Sequence, residues 1–240
     1  MHVMITGHCG YIGSALTSIL KKNNSIVGFD LKEGHNLHTI SLKEKFDLII
    51  HLAGRSGVRE SINNPNSYWY DNVELSKRIF EIYGNTTRIL YASSSSAYEP
   101  DLNPYAASKL CIERAASRYP NTLGMRFHTV YNEKPRKGMF MQLLLDKQLK
   151  YTTNHYRDFI HMNDLCQAIQ LCIQHEVVGI IDIGTGISTP VRELAPNLPV
   201  HLNTIGERQI TCANTKILNT LGFKPKFNIT KFISNQKWTK

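Results

Sequence analysis

Tyr105 and Lys109 stand four residues apart in Pro104-Tyr105-Ala106-Ala107-Ser108-Lys109. On a helix that spacing turns through about 400°, so both side chains share one face. A free phenol titrates at about 10. A neighbouring ammonium favours its ionised form, which moves a tyrosine toward general-base work near neutral pH. Such pairs also occur on ordinary solvated helices, so the surroundings decide. Upstream, Arg88-Ile89-Leu90-Tyr91-Ala92 reads as an apolar strand running into four hydroxyls, Ser93 to Ser96. In parallel α/β sheets ligands bind outside the carboxyl ends of the strands. Hydroxyls placed there can hydrogen-bond a ligand or a developing oxyanion.

The N-terminus supplies a second constellation. His2-Val3-Met4-Ile5-Thr6 reads as a short buried strand, followed by Gly7-His8-Cys9-Gly10-Tyr11-Ile12-Gly13 and a helix-patterned stretch to Lys22. Glycines permit a tight turn and close backbone approach to a pyrophosphate, and a helix N-terminus offers free N–H groups with partial positive charge. The G-x-x-G-x-x-G spacing carries weight because it lies between a strand and a helix. About seventeen residues on, Ile26-Val27-Gly28-Phe29-Asp30 reads as a second strand ending in an acid. An acid there suits the ribose 2′-hydroxyl of NAD and repels the 2′-phosphate of NADP.

Strands and helices alternate. Strands are expected at 2–6, 26–30, 48–53, 88–92, 122–127 and 179–183, with Asn36-Leu37 ending a further short one beside the adenine. Helices are expected at 11–22, 67–83, 105–118, 138–149, 163–175 and 214–221. Alternation of this kind predicts a Rossmann-type, doubly wound α/β fold with a parallel sheet. Asp47-Leu48-Ile49-Ile50-His51-Leu52 is nearly continuous apolar sequence, as in a strand covered on both faces. Residues 1–130 plus 163–183 read as an NAD-binding domain. Residues 131–162 plus 184–240, basic and loop-rich, read as a small substrate-binding lobe.

Composition narrows the functional classes. The 240 residues carry 28 basic and 19 acidic side chains, a formal charge of +9. The basic residues are dispersed, with no block of the kind that marks a nucleic-acid patch, so no nucleic-acid partner is expected. Anionic ligands account for some of the excess. No apolar run approaches the roughly 18 residues of a membrane span, and no membrane partner is expected. Five cysteines without close pairing suggest reduced thiols and a cytoplasmic location. Neither C-x-x-C nor H-E-x-x-H occurs, so no metal is expected. Cys9 lies inside the glycine turn, where a thiol reagent would interfere with cofactor binding. His8, His128 and His161 read as structural.

Taken together the chain resembles the extended short-chain dehydrogenase/reductase family, and within it the NAD-dependent nucleotide-sugar epimerases and dehydratases. Thr6 to Ser14 looks like the family's NAD turn, and His51-Leu52-Ala53-Gly54 like its strand beside the nicotinamide ribose. Gly57-Val58-Arg59-Glu60-Ser61 and Asn72-Val73 are similar to the segments that follow. Arg126-Phe127-His128-Thr129-Val130-Tyr131, then Arg136 and Met139, then Arg157-Asp158-Phe159-Ile160-His161 are similar to UDP-glucuronate and UDP-glucose 4-epimerases.

The resemblance implies Ser94, Tyr105 and Lys109 as catalytic residues. It implies Gly7, Gly10, Tyr11, Ile12, Gly13, Asp30, Asn36, Leu37, Leu52, Ala53, Gly54, Tyr105 and Lys109 around NAD. Ser94, Ser95, Ser96, Thr129, Arg136, Arg157 and Glu207 would contact the substrate. Ser95 and Ser96 replace the Asp-Glu pair of the family's 4,6-dehydratases, which favours 4-epimerisation of a UDP-sugar over elimination. The alternatives are a nucleotide-sugar reductase or dehydratase using NAD(P), and a non-catalytic NAD-binding member. A homodimer through helices 67–83 and 105–118 is expected from the same resemblance.

Overall fold

The computed structural model describes residues 1–202 and 204–235. The chain divides into two compact units, 1–126 with 176–181, and 127–175 with 182–240. The helix expected at 163–175 therefore clusters with the second unit, not with the cofactor domain in which the sequence pattern places it.

The first unit is built on a six-stranded sheet with order β2-β1-β3-β4-β5-β8. Its strands are β1 (His2–Thr6), β2 (Ser25–Phe29), β3 (Leu48–His51), β4 (Arg88–Ser94), β5 (Thr122–Phe127) and β8 (Gly179–Ile183). β1 pairs in parallel with β2 and β3, and β3 with β4. The order reverses at β1, since β2 lies on one side of it and β3 on the other. Such a reversal opens a crevice at the carboxyl ends of the two strands on either side of it. Leu48, Ile49 and Ile50 are all buried, as continuous apolar sequence requires of a strand covered on both faces. Met4, Ile49, Ile79, Phe80, Ile89, Tyr91 and Ile112 form one core cluster beneath the sheet.

The helices of this unit are α1 (Tyr11–Leu20), α2 (Val58–Asn63), α3 (Pro65–Tyr68), α4 (Leu75–Tyr83) and α5 (Pro104–Ala116). α2 has no counterpart in the sequence expectation. The single helix expected at 67–83 is interrupted by a wide, π-type turn at Trp69–Glu74 between α3 and α4. A π-turn accommodates one extra residue and often marks a functional site. α5 starts where its sequence dictates. Asn103 caps it by accepting from the Ala106 N–H at 2.8 Å, and Pro104 occupies the first turn, where no N–H is needed.

Asn36-Leu37 does not end a strand. The Asn36 side chain accepts from the His38 N–H at 3.0 Å and its carbonyl accepts from Thr39 and Ile40. This local side-chain bond holds a turn in preference to a ladder.

The second unit contains a small sheet of β6 (Thr129–Tyr131), β7 (Tyr156–His161) and β9 (Ser188–Pro190), ordered β6-β7-β9. α6 (Phe140–Leu145), α7 (Met162–Gln174), α8 (Lys216–Thr220) and α9 (Ile229–Ser234) complete it. Tyr131, Met141, Phe159, Val191, Ile229 and Phe232 form its own core. Two buried carboxylates tie its loops. Asp158 accepts from the N–H groups of Thr185, Gly186 and Ala213 and from the Thr185 hydroxyl, at 2.7–3.0 Å. Asp164 accepts from the N–H groups of Lys226 and Phe227 at 3.0 Å.

Candidate active site and cofactor turn

β1 ends at Thr6 and the chain turns sharply at Gly7, whose φ of +70° favours glycine. A Cβ on Gly7 would lie 2.8 Å from the Ala53 nitrogen, and one on Gly13 would lie 2.1 Å from the Gly7 carbonyl oxygen. The turn therefore folds only with glycine at both positions. It brings Gly7 against Ala53 and folds Gly10 and Gly13 onto the Gly7 carbonyl, at the reversal of strand order. Gly10 is the N-cap of α1 and brings no side chain to accept the first-turn N–H groups, and no acidic residue lies in that turn. The N–H groups and the helix's positive end are thus arranged for an anion.

Asp30 follows β2 and faces the same turn. Its carboxylate accepts from the Cys9 N–H at 3.0 Å and from the Lys32 N–H at 2.9 Å. The glycine cradle, the open helix end and the acid beside it fit a dinucleotide with a free ribose 2′-hydroxyl. Leu37 is buried, only 4% exposed, so its side chain belongs to the core. Leu52, Ala53 and Gly54 follow β3 at the same end of the sheet.

The residues of α5 meet the end of β4. The Lys109 ammonium is buried and donates to the Ala92 carbonyl at 2.9 Å, two residues before Ser94. Its Nζ lies 5.7 Å from the centre of the Tyr105 ring. Burial brings the Lys109 pKa down to about 8, with Glu113 opposing the shift. Tyr105 packs edge-on against buried Tyr68, ring centres 6.1 Å apart. Ser94 is buried and accepts from the Ser96 N–H at 3.1 Å. Ser95 is buried behind it and Ser96 is partly exposed. Ser94, Ser95, Ser96, Tyr105 and Lys109 thus belong to one junction of strand and helix.

Further contacts, which spacing alone does not reveal, hold that junction. Arg126 on β5 grips Glu113 of α5 through two hydrogen bonds of 2.8 and 2.7 Å, and Ser93 donates to the same carboxylate at 2.5 Å. The Arg126 guanidinium also lies 4.0 Å from the Tyr98 ring centre. Asn72, in the π-turn, accepts from the Arg55 N–H at 2.7 Å and donates to the Arg55 carbonyl and to Ser108 Oγ. Ser108 in turn donates to the Tyr105 carbonyl at 2.7 Å. The first turn of α5 is thereby tied to the loop after β3.

Beneath the cofactor turn, Thr6 Oγ1 lies 2.7 Å from His51 Nδ1, and His51 Nε2 lies 3.0 Å from Ser76 Oγ. The Ala53 N–H donates to the same threonine oxygen at 3.1 Å. Burial, with Lys109 adding to it, lowers the His51 pKa to about 3. The unfolded chain, with an ordinary imidazole, then binds more protons than the fold between pH 3 and about 6.5. His51 therefore contributes stability that is present above about 6.5 and lost as pH falls toward 3. We expect wild type to lose roughly 2 kcal/mol more than His51→Gln between pH 8 and pH 5. Urea unfolding at both values checks it; parallel losses in the two proteins would remove His51 from the account.

The substrate residues expected from the second unit lie on several of its elements. Arg157 is mostly buried; it donates to the Tyr156 and Gln209 carbonyls and pairs with Glu207 at 3.4 Å. Glu207 also lies 3.5 Å from His155 Nδ1. Arg157 and Glu207 thus form one charged group. Thr129 begins β6, and Arg136 stands on an exposed loop.

The sheet order, the glycine cradle and the Ser94–Tyr105–Lys109 junction define a Rossmann-type dinucleotide-dependent protein. The model of the NAD dependent epimerase/dehydratase family matches residues 3–184, and the chain belongs to that family. NAD is the cofactor that this membership assigns. Protein CapI of Staphylococcus aureus is 28% identical, covering 72% of this chain and 70% of that protein. UDP-glucose 4-epimerase GEPI42 of Cyamopsis tetragonoloba is 26% identical, covering 80% and 78%. Among solved structures, MoeE5 in complex with UDP-glucuronic acid and NAD superposes with a TM-score of 0.85 at 26% identity, covering 98% of this chain and 97% of that one. Among the described residues no helix is long and apolar enough to cross a membrane.

Proposed function

We propose that this protein interconverts the 4-epimers of a UDP-sugar, a UDP-hexose or UDP-glucuronate, and keeps NAD bound through the cycle. The observation that carries the proposal is Tyr105 and Lys109 on one helix face at the end of β4, with serines at 95 and 96. NAD, when bound, supplies hydride acceptance and return at carbon 4. The protein's own part is positional and acid–base. Tyr105 Oη takes the proton of the sugar 4-hydroxyl and later gives it back. Lys109 stabilises the phenolate by its charge, and Ser94 Oγ orients the reacting hydroxyl. No carboxylate stands at 95 or 96 to take a proton from the neighbouring carbon, so elimination lacks its acid–base pair.

Gly7, Gly10, Tyr11, Ile12, Gly13 and Asp30 would hold NAD, with Leu52, Ala53 and Gly54 beside the nicotinamide ribose. Thr129, Arg136, Arg157 and Glu207 would contact the nucleotide sugar. Arg157 suits phosphate oxygens because its guanidinium is planar and pairs bidentately. The relative named UDP-glucose 4-epimerase and the MoeE5 complex with UDP-glucuronic acid support this choice of substrate.

We place the pairing surface of a homodimer on the faces of α4 and α5. A groove of about 380 Å³ runs there, lined by Trp69, Val73, Lys77, Cys111, Arg118 and Tyr119 among others. Trp69 is 46% exposed, large for an apolar ring on an unpartnered surface.

The experiment is incubation with NAD⁺ and a panel of UDP-hexoses and UDP-hexuronic acids, products read by NMR. A mixture of 4-epimers without net NADH is expected, from a species with the mass of two chains. Stoichiometric NADH, or a deoxy-keto product, would instead establish the dehydrogenase or dehydratase reading. NAD binding with no product from any sugar would establish the non-catalytic one.

A further inference from the structure

The cofactor turn carries two side chains that the proposed epimerase chemistry does not use. His8 and Cys9 fill the positions between Gly7 and Gly10. The His8 ring lies over Gly28 of β2, where a Cβ would come within 2.7 Å of the imidazole carbons, so the strand leaves a seat for that ring. His8 Nδ1 is buried with no hydrogen-bond partner. The other nitrogen, Nε2, lies 3.4 Å from Cys9 Sγ and 3.2 Å from Glu33 Oε2. Glu33 closes the short 3-10 turn Leu31–Glu33 that follows β2, and its Oε1 is 3.6 Å from Cys9 Sγ. One donor atom from each residue falls within 4.8 Å of the others.

The two separations from His8 Nε2 match edges of a coordination polyhedron. In a tetrahedral site the usual zinc bond lengths place nitrogen and oxygen donors about 3.4 Å apart, and sulfur about 3.6 Å from either. The separations of His8 Nε2 from Glu33 Oε2 and from Cys9 Sγ lie within about 0.2 Å of those values; Cys9 Sγ meets the same carboxylate through its other oxygen, Oε1, at 3.6 Å, so binding through a single oxygen turns the Glu33 carboxylate. We propose that His8, Cys9 and Glu33 bind a borderline divalent cation of the zinc type, with the fourth position open to water.

The donor set of one imidazole, one thiol and one carboxylate suits zinc and its first-row neighbours, and is poor for magnesium or calcium. His35 Nδ1, 3.9 Å from Glu33 Oε2, is the nearest further imidazole. The Lys32 ammonium donates to the Cys9 carbonyl at 3.0 Å and is the cation already at the site. Partial burial, then the charges of Glu33 and Asp30, hold the Cys9 thiol above its usual range. Binding accordingly converts thiol to metal thiolate, and the displaced proton passes to solvent. No electron is transferred. The sequence contains none of the familiar metal spacings because Glu33 reaches His8 and Cys9 only through the pairing of β1 with β2.

The test is a titration of the purified full-length protein with cobalt(II) under reducing, anaerobic conditions. Thiolate-to-cobalt charge-transfer absorption and tetrahedral visible bands should grow to one cobalt per chain and collapse on addition of zinc(II). Cys9→Ser should abolish the charge-transfer band. Glu33→Gln, a change at an exposed position, should weaken binding by at least about tenfold. Absence of the band in wild type, or a band that survives Cys9→Ser and so belongs to another thiol such as Cys212, would overturn the site. An unchanged affinity in Glu33→Gln would remove the carboxylate and with it the three-ligand arrangement.

Discussion

Tyr105→Phe should lower turnover by about 10²–10⁴-fold, the usual contribution of a positioned general acid–base, while NAD stays bound. The substitution removes one oxygen and leaves the ring, so the edge-on packing against Tyr68 is kept. Lys109 keeps its bond to the Ala92 carbonyl, and the cap and tether of α5 at Asn103 and Ser108 are untouched. A large loss of kcat with little change in NAD affinity is therefore the signature of chemistry at the hydroxyl. The check pairs product formation by NMR with NAD binding by calorimetry. Near-wild-type kcat would end the assignment of Tyr105 as the proton carrier. Loss of NAD binding together with activity would turn the residue into a cofactor contact.

The second large effect is on stability. Asp158→Ala should destabilise the protein by at least about 4 kcal/mol, a size confined to a few mechanisms, of which orphaned buried polar groups are one. The Asp158 carboxylate is fully buried and accepts four hydrogen bonds, from Thr185 N–H, Thr185 Oγ1, Gly186 N–H and Ala213 N–H. Each donor left without a partner costs about 1–3 kcal/mol. Water entering the space would recover part of that, which sets the estimate below the sum. Asp158→Asn should fall between, because both carboxylate oxygens are in use and the amide must turn its NH₂ toward one pair of donors. Urea unfolding of the three proteins is the measurement. A loss under about 1 kcal/mol for alanine would mean that the loops at 184–186 and 211–213 hold themselves.

Much of this was legible in the sequence, for reasons that can be stated residue by residue. Continuous apolar sequence at 48–50 and the run at 88–92 specify buried strands because little else can bury them. The glycines at 7, 10 and 13 are diagnostic because their positions exclude a Cβ. Pro104 after Asn103 marks a helix start on local chemistry alone. What escaped depends on partners distant in the chain. β6, β7 and β9 are three to six residues long and carry mixed polar sequence, so no periodicity announces them. The π-turn at 69–74 leaves the composition of a helix unchanged. Asn36-Leu37 looks extended until the Asn36 side chain bonds its own turn. Of the candidate site, the Tyr105–Lys109 face follows from spacing, whereas the tie from Asn72 through Ser108 and the grip of Arg126 on Glu113 join residues 13 to 36 positions apart.

Asp30 carries a consequence for anyone redesigning the cofactor preference of this chain. The obvious exchange for accepting a 2′-phosphate replaces that acid with a small neutral residue. Here the same carboxylate fastens the Cys9 N–H and the Lys32 N–H, so it is a rivet of the loop as well as the proposed reader of the ribose. Removing it would loosen the glycine turn at the moment its selectivity was being altered. Selectivity and loop shape are thus one inherited trait at this position, and a useful redesign must supply a new acceptor for Cys9 before it discards the old one.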